Sequence, residues 1–357
     1  MKNRSFLQLV AGFVVLAVFI TGCNNTNEED AEITPVQLEI KENTAVPTGG
    51  KLSGSISINS TNIQKIDLLV DDSVYQSWNT PKERLSFNLD VAHMGLGAKT
   101  LRIEALLSNG DTHNDNRLVR IVSDLIPEKR TTKITAVFPH NEEDFTQGLE
   151  FSEGKLYEST GDPRGIGASI VALKDLKSGS TLLKTGLDAS YFGEGITILN
   201  DKIYQLTWTQ QKCFVYDKNN LQIRLKDYNY TGEGWGLCND GKNLIMSDGS
   251  ERIVFRNPDN FQIIRTIEVY DNKGPRPYLN ELEYINGKIY ANVWMTDLIV
   301  AIDPATGKVL EEINASNVSA VGKKQGDVMN GIAYNHLTGK TYITGKYWTN
   351  LYEVVFE

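Results

Sequence analysis

The sequence predicts an all-β protein, a five-bladed β-propeller preceded by a small immunoglobulin-like β-sandwich. Three observations predict it. From residue 131 onward a hairpin pattern recurs five times, with units starting at Gly148, Gly195, Gly236, Glu281 and Gly331, spacings of 47, 41, 45 and 50 residues. Most units are followed by two further extended runs, and four strands per period of about 45 residues is the signature of a propeller blade. Upstream, residues 34–126 alternate apolar and polar in short runs broken by Gly, Asn and Asp, the spacing of a sandwich.

In chain order, residues 1–23 read as an export signal. MKNR is basic, and FLQLVAGFVVLAVFIT is apolar but short for a membrane-spanning helix of about 20 residues. The run ends at Ile20-Thr21-Gly22-Cys23, which resembles a bacterial lipobox. Cys23 is then the lipidated mature N-terminus, and residues 24–33 form a solvated tether. The expectation is an exported bacterial lipoprotein, anchored to a membrane and facing the periplasm or the cell surface.

KIDLLVDD, LSFNLDV, KTLRIEALL and RLVRIVSD supply sandwich strands. No chemical constellation stands among them, so the domain reads as a spacer or docking module. Pro127 with EKRTTK reads as a linker, and the propeller fills residues 131–357. Its hairpins are GLEFSEGKLYESTG, GITILNDKIYQLTW, GLCNDGKNLIMSDG, ELEYINGKIYANVW and GIAYNHLTGKTYITGK. The last unit ends in NLYEVVFE and lacks a fourth strand. KITAVFPH, ahead of the first unit, can supply it and close the ring, which removes exposed sheet edges.

Composition narrows the function. A formal charge of −9 with no Lys/Arg cluster argues against nucleic acid as a partner. Four scattered His and no CxxC or HExxH spacing argue against a metal centre, so neither metal nor cofactor is expected. Cys213 and Cys238 fall on different strands of neighbouring units, where two buried free thiols are expected in preference to a disulfide.

The repeat register brings particular residues together. In an antiparallel hairpin the start of one strand faces the end of the next. The residue before each unit and the residue that ends it therefore lie at one end of the propeller. The leading residues are Gln147, Glu194, Trp235, Asn280 and Asn330; the trailing ones are Gly161, Trp208, Gly249, Trp294 and Lys346. Repeat folds normally place scaffold residues at equivalent positions. Here stand a carboxylate, an ammonium, amides and three indoles, a cup suited to a small molecule.

Glu194 is the one acid in both rings, too little for a calcium-dependent lactonase. Proton transfer by a single carboxyl group fits what is present. The glycines beside Glu194 and Trp235 are expected to permit sharp turns, and the Glu194 side chain is expected to reach solvent at the mouth. Two rivals stand against catalysis of this kind. One is a non-catalytic propeller binding a peptide or glycan through the aromatic cup, which would not need a carboxylate fenced by glycine. The other is a hydrolase of small esters or lactones using Glu194 as base, for which a metal-ligand cluster is missing.

FPHNEEDFTQGL, YESTG, YFGEGIT, QLTW, GEGWGL, SDGS, LNELEYINGKIYANVW, NGIAY and TGKYW resemble the plant- and bacterial-type glutaminyl cyclases. The resemblance covers nearly all of residues 134–357 and every blade, but not the sandwich. It implies a five-bladed propeller that works without a metal and converts an N-terminal glutamine to pyroglutamate with loss of ammonia. Such an enzyme is a glutaminyl-peptide cyclotransferase, an acyltransferase acting by intramolecular aminolysis.

The resemblance further implies that Glu194 of YFGEG is the acid/base carboxylate. It assigns to the pocket Phe145 and Gln147 of FTQGL, Phe192 of YFGEG, Trp208 of QLTW and Trp235 of GWGL. Asn280 of LNELEY, Trp294 of NVW and Lys346 of TGKYW complete it. Met295 and Thr349 depart from the pattern, standing where relatives often carry Gln and usually carry Pro. On this reading Glu194 takes a proton from the α-amine and delivers it to the leaving nitrogen. The tryptophans confine the curled side chain, Asn280 and Gln147 hydrogen-bond the substrate, and Lys346 stabilises the oxyanion or holds Glu194. A monomer acting on peptides or proteins with an N-terminal glutamine is expected.

Overall fold

The computed structural model describes residues 34–323 and 326–357, so Cys23 and the tether lie outside the described residues. No helix among the described residues is long and apolar enough to cross a membrane. The first part of the chain forms two sheets. One orders the strands Val36–Glu39, Lys51–Ile58 and Leu85–Asp90; the other orders Thr44–Pro47, Thr112–Val122, Gly97–Leu107, Ile63–Val70 and Ser73–Asn79. Alternate residues of both sheets, among them Val36, Ile56 and Leu89 on one side and Ile66, Ile103 and Val119 on the other, meet in a single apolar core.

Five blades follow. The first is Thr146–Ser152, Lys155–Thr160, Ile170–Lys174 and Thr181–Gly186; the second is Gly193–Leu199, Lys202–Thr207, Lys212–Asp217 and Asn220–Asn229. The third is Leu237–Asn239, Leu244–Ser247, Arg252–Arg256 and Ile263–Glu268; the fourth is Leu279–Ile285, Lys288–Val293, Leu298–Ile302 and Val309–Asn314. The fifth combines Met329–Asn335, Lys340–Gly345 and Asn350–Phe356 with Glu128–Pro139. Turn chemistry explains the hairpins. Glu153-Gly154, Asn200-Asp201 and Asn286-Gly287 are two-residue turns with both φ angles positive, the type I′ geometry that matches strand twist.

Glu128–Pro139 closes the ring as expected, pairing from Thr132 to Pro139 with Asn350–Phe356. The linker reading of the preceding charged run is corrected by the structure. Glu128–Thr131 pairs in parallel with Glu311–Asn314, uniting the fourth and fifth blades in one eight-stranded sheet. The charges that made this run resemble a linker are matched across the pairing: Lys129 meets Glu312 at 2.7 Å and Arg130 meets Glu311 at 3.1 Å. Pro35–Glu357 is accordingly one compact unit. Leu96, Val122 and Tyr270 join the two parts in a small apolar cluster, beside a Lys308–Asp124 ion pair of 2.6 Å. Cys213 and Cys238 are buried free thiols.

Candidate active site

The innermost strands leave their ladder register at the leading residues. Pairing passes from Thr146↔Thr160 to Gly148↔Ser159, skipping Gln147, and from Gly193↔Thr207 to Ile196↔Gln205, around Glu194. It passes from Leu279↔Val293 to Leu282↔Ala291 around Asn280, and from Met329↔Gly345 to Ile332↔Ile343 around Asn330. A bulge of this kind re-aims the extra side chain. Four of the five leading residues are thereby turned out of the blades at the same end of the propeller.

The glycines beside Glu194 serve a different purpose from the turn expected of them. A Cβ on Gly195 would lie 2.5 Å from the Leu237 nitrogen, and one on Gly193 2.6 Å from the Thr160 carbonyl oxygen. Neither has a positive φ. They let the strands of adjacent blades touch around the axis. Gly161 and Gly249 make room for rings, since a Cβ there would lie 2.3 Å from Phe192 and 2.6 Å from Trp235.

Phe145, Gln147, Phe192, Glu194, Trp208, Trp235, Asn280, Trp294 and Lys346 all line one cavity of about 630 Å³. Its wall is a series of aromatic contacts. Tyr347 packs on Phe145 at 5.1 Å between ring centroids, Phe145 on Phe192 at 6.1 Å and Phe192 on Trp208 at 5.7 Å. Across the cavity Trp235 meets Trp294 edge to face at 5.5 Å, and Tyr278 backs Trp294 at 6.2 Å. Glu233 Oε2 joins the two arcs, accepting the indole N–H of Trp208 at 2.7 Å and of Trp235 at 2.9 Å.

At the floor lies Glu194. It is only 5% exposed, which corrects the expectation of a carboxylate in solvent. The bulge turns it inward, under the aromatic wall. Burial pushes its pKa well above the ordinary carboxylate range, Lys346 opposes that by charge, and Glu233 adds to it. Gln147 Nε2 donates to Glu194 Oε1 at 3.0 Å, and Oε2 has no hydrogen-bond partner among the described residues.

The orientation of Gln147 follows from its neighbour. Asn330 Nδ2 donates to the Thr146 carbonyl at 3.0 Å and to Gln147 Oε1 at 3.1 Å. A backbone carbonyl can only accept, so Asn330 must present its nitrogen there, and Gln147 must turn its own nitrogen to Glu194. Gln147 is thus committed to Glu194 and Asn330. Asn330 does not line the cavity; it is buried behind Gln147 and sets its amide.

Lys346 is also 5% exposed, and its ammonium sits 4.5 Å from the Phe145 ring centroid. Burial lowers its pKa, while Glu194 and Asp327 raise it. Asn280 Oδ1 is buried without a hydrogen-bond partner, an acceptor left free beside the cavity.

Residues 111–356 match the protein family described as glutamine cyclotransferase. The chain belongs to that family. It is 38% identical over 228 residues to a glutaminyl-peptide cyclotransferase of Arabidopsis thaliana, covering 62% of this chain and 70% of the relative. Among solved structures it is similar to the glutaminyl cyclase of Myxococcus xanthus, with TM-score 0.60 and 35% identity over 65% of this chain and 98% of that one.

In this member of the glutamine cyclotransferase family the cavity also takes residues that the register did not reveal. Asp162, Pro163, Arg164 and Gly165 line its rim. Their signal was length. Residues 161–169 connect the second and third strands of the first blade, whereas 208–211, 248–251, 294–297 and 346–349 make the same connection elsewhere. Asp162 shapes the loop by accepting the Gly167 and Ala168 amides at 2.6 and 3.0 Å. Glu233 also had a signal, because Gly232-Glu233-Gly234 repeats the Gly-Glu-Gly of residues 193–195.

Proposed function

We propose that the protein is a glutaminyl-peptide cyclotransferase that converts the N-terminal glutamine of peptides or proteins to pyroglutamate, with Glu194 as acid/base. The observation that carries this reading is the Glu194 carboxyl group, buried at the floor of an aromatic cavity and held through one oxygen only. An α-amine has a pKa of about 8 in water. The raised proton affinity of Glu194 brings a carboxyl group toward that range. Transfer of a proton from the substrate's ammonium to Glu194 then leaves the neutral amine needed for attack.

The amine nitrogen bonds to the side-chain carboxamide carbon, and the carbonyl oxygen takes up negative charge near Lys346. Glu194 gives its proton to the departing nitrogen and recovers one from the ring nitrogen. The carbon–nitrogen bond breaks, and ammonia and the five-membered lactam remain. The free Asn280 acceptor suits an N–H of the substrate. Trp208, Trp235 and Trp294 keep the side chain curled, and such orientation supplies up to about 7 to 11 kcal/mol in favourable cases.

Ammonia release from peptides that begin with glutamine tests the reading directly. Turnover should disappear when the α-amine is acetylated, since the nucleophile is then removed. Absence of ammonia from every free-amine substrate, with binding retained, would favour a non-catalytic propeller.

We also propose that the protein is an exported lipoprotein held at a membrane through Cys23. The basic MKNR, the apolar run and the Ile-Thr-Gly-Cys sequence support this. Cys23→Ser should release the protein from the membrane fraction or leave it as an unprocessed precursor, as seen by fractionation and the mass of the chain. Unchanged membrane association with normal processing would refute the anchor.

A further inference from the structure

The FPH segment of the sequence leads to a buried charge cluster outside the cavity. His140 is in hydrogen-bond contact through both ring nitrogens: Nδ1 with the Trp348 carbonyl oxygen at 2.7 Å and Nε2 with Glu158 Oε1 at 3.0 Å. The carbonyl can only accept. Glu158 Oε1 accepts the Thr146 hydroxyl at 2.6 Å. Although burial opposes its charge, His140 and Lys174 hold the Glu158 carboxyl below the usual range, so as a carboxylate it too faces His140 as an acceptor. Both ring nitrogens must therefore carry hydrogen, which makes the ring an imidazolium. Two acids and a second cation complete the cluster. Lys174 donates to Asp144 and lies 3.5 Å from Glu158, so two positive groups balance two negative ones in the interior.

This cluster is tied to the turn that carries Lys346. The His140 amide donates to the Thr349 carbonyl at 2.8 Å, and the Tyr347 amide donates to the Asp144 carbonyl at 2.8 Å. With the imidazolium contact to Trp348, residues 140–144 hold residues 347–349 at three consecutive positions. The Trp348 side chain is fully buried and donates to the Asp327 carbonyl at 2.8 Å, which fixes the far side of the turn. Phe145 follows Asp144 directly, and the Lys346 ammonium rests on its ring. One network therefore places both the cation and the surface it lies against. Of its contacts to the turn, only that from His140 Nδ1 is made by a titratable side chain.

We propose that protonated His140 is a positioning residue for the reaction, holding the turn at Trp348 so that the Lys346 ammonium stays over Phe145 and beside Glu194. Deprotonation would leave a lone pair facing either the Trp348 carbonyl or Glu158, and an uncompensated negative charge in the interior. The groups that set the state of His140 are all in view. Burial opposes its charge, while Glu158, the Trp348 carbonyl and Asp144 together raise its pKa. Lys174 acts through the same two acids.

The inference rests on the cyclotransferase reading, and the test separates the two. In the full chain, His140→Gln should lower kcat about ten- to a hundredfold, because small displacements of a catalytic group carry costs of that order. KM should stay within about twofold, since no cavity-lining residue changes. The wild-type kcat should fall as pH rises through the His140 pKa, and the variant should lack that fall. A folded His140→Gln protein with wild-type kcat and pH profile would overturn the proposal even if its Tm were lower, because the cluster would then be structural only.

Should the variant not fold, the wild type decides. The chain has four histidines, so the ring-nitrogen signals of His140 can be assigned by substituting His93, His113 and His336. Both nitrogens of His140 should be protonated at neutral pH, and the charge should be lost over the range in which kcat falls. A neutral His140 at pH 7, or loss of its charge with no change in kcat, would overturn the proposal. Absence of any turnover by the wild type would instead refute the cyclotransferase reading.

Discussion

Glu194→Gln is expected to lower kcat by about 10² to 10⁴, the usual contribution of positioned proton transfer, with KM little changed. The amide keeps the shape of the side chain and a partner for Gln147, but it cannot accept and return a proton. Stability should respond in a specific direction. The folded-state pKa of Glu194 is raised, so between the unfolded value of about 4.3 and the folded value the native state binds more protons. Its contribution to stability is therefore present at low pH and lost as pH rises through the folded pKa. Glutamine has no such slope, so the variant's Tm relative to wild type should rise with pH. Single-turnover ammonia release and thermal scans across pH measure both effects. Wild-type turnover by Glu194→Gln would remove Glu194 from the mechanism.

Much of this architecture could be read from the sequence because a propeller repeats its own turn chemistry. Paired left-handed residues such as Asn286-Gly287 mark the hairpin tips, and the tips set the register. Register then places equivalent residues at one end of the ring. Register is insensitive to packing, which is why it alone groups Gln147, Glu194, Asn280, Trp294 and Lys346, and these line one cavity.

What it could not supply was depth. Glu194 reads as exposed from its loop-like Gly-Glu-Gly setting, yet the bulge after Gly193 turns it inward. The glycines read as turn residues, yet their role is set by neighbouring blades, the Thr160 carbonyl for Gly193 and the Leu237 and Trp235 backbone for Gly195, which no local pattern records. Glu128–Thr131 reads as a linker because its charges look solvated, and only the acids at 311 and 312 show otherwise. The rim residues Asp162 and Arg164 break the repeat instead of following it, so they have no equivalents in the other blades to mark them.

Lys346→Met is expected to lower kcat by about 10² to 10³, the range seen when a donor to a developing oxyanion is removed. Methionine keeps most of the length and apolar volume of the stem, so the contact with Phe145 survives while the ammonium is lost. Two roles for that charge make different predictions about pH. Lys346 opposes the rise in the Glu194 pKa, so its removal should move that pKa further upward. If this were its whole contribution, ionisation of Glu194 would only be postponed, and the deficit would shrink toward zero as pH rises. If the ammonium faces the oxygen of the carbonyl under attack, the charge is missing from the transition state at every pH. The buried position of Lys346, with no ion pair to Glu194 among the described residues, leaves its ammonium available to the substrate and favours the second role. The deficit is therefore expected to persist across the whole profile of log kcat against pH. Recovery of wild-type kcat at alkaline pH would show that Lys346 acts only by holding the proton affinity of Glu194 down.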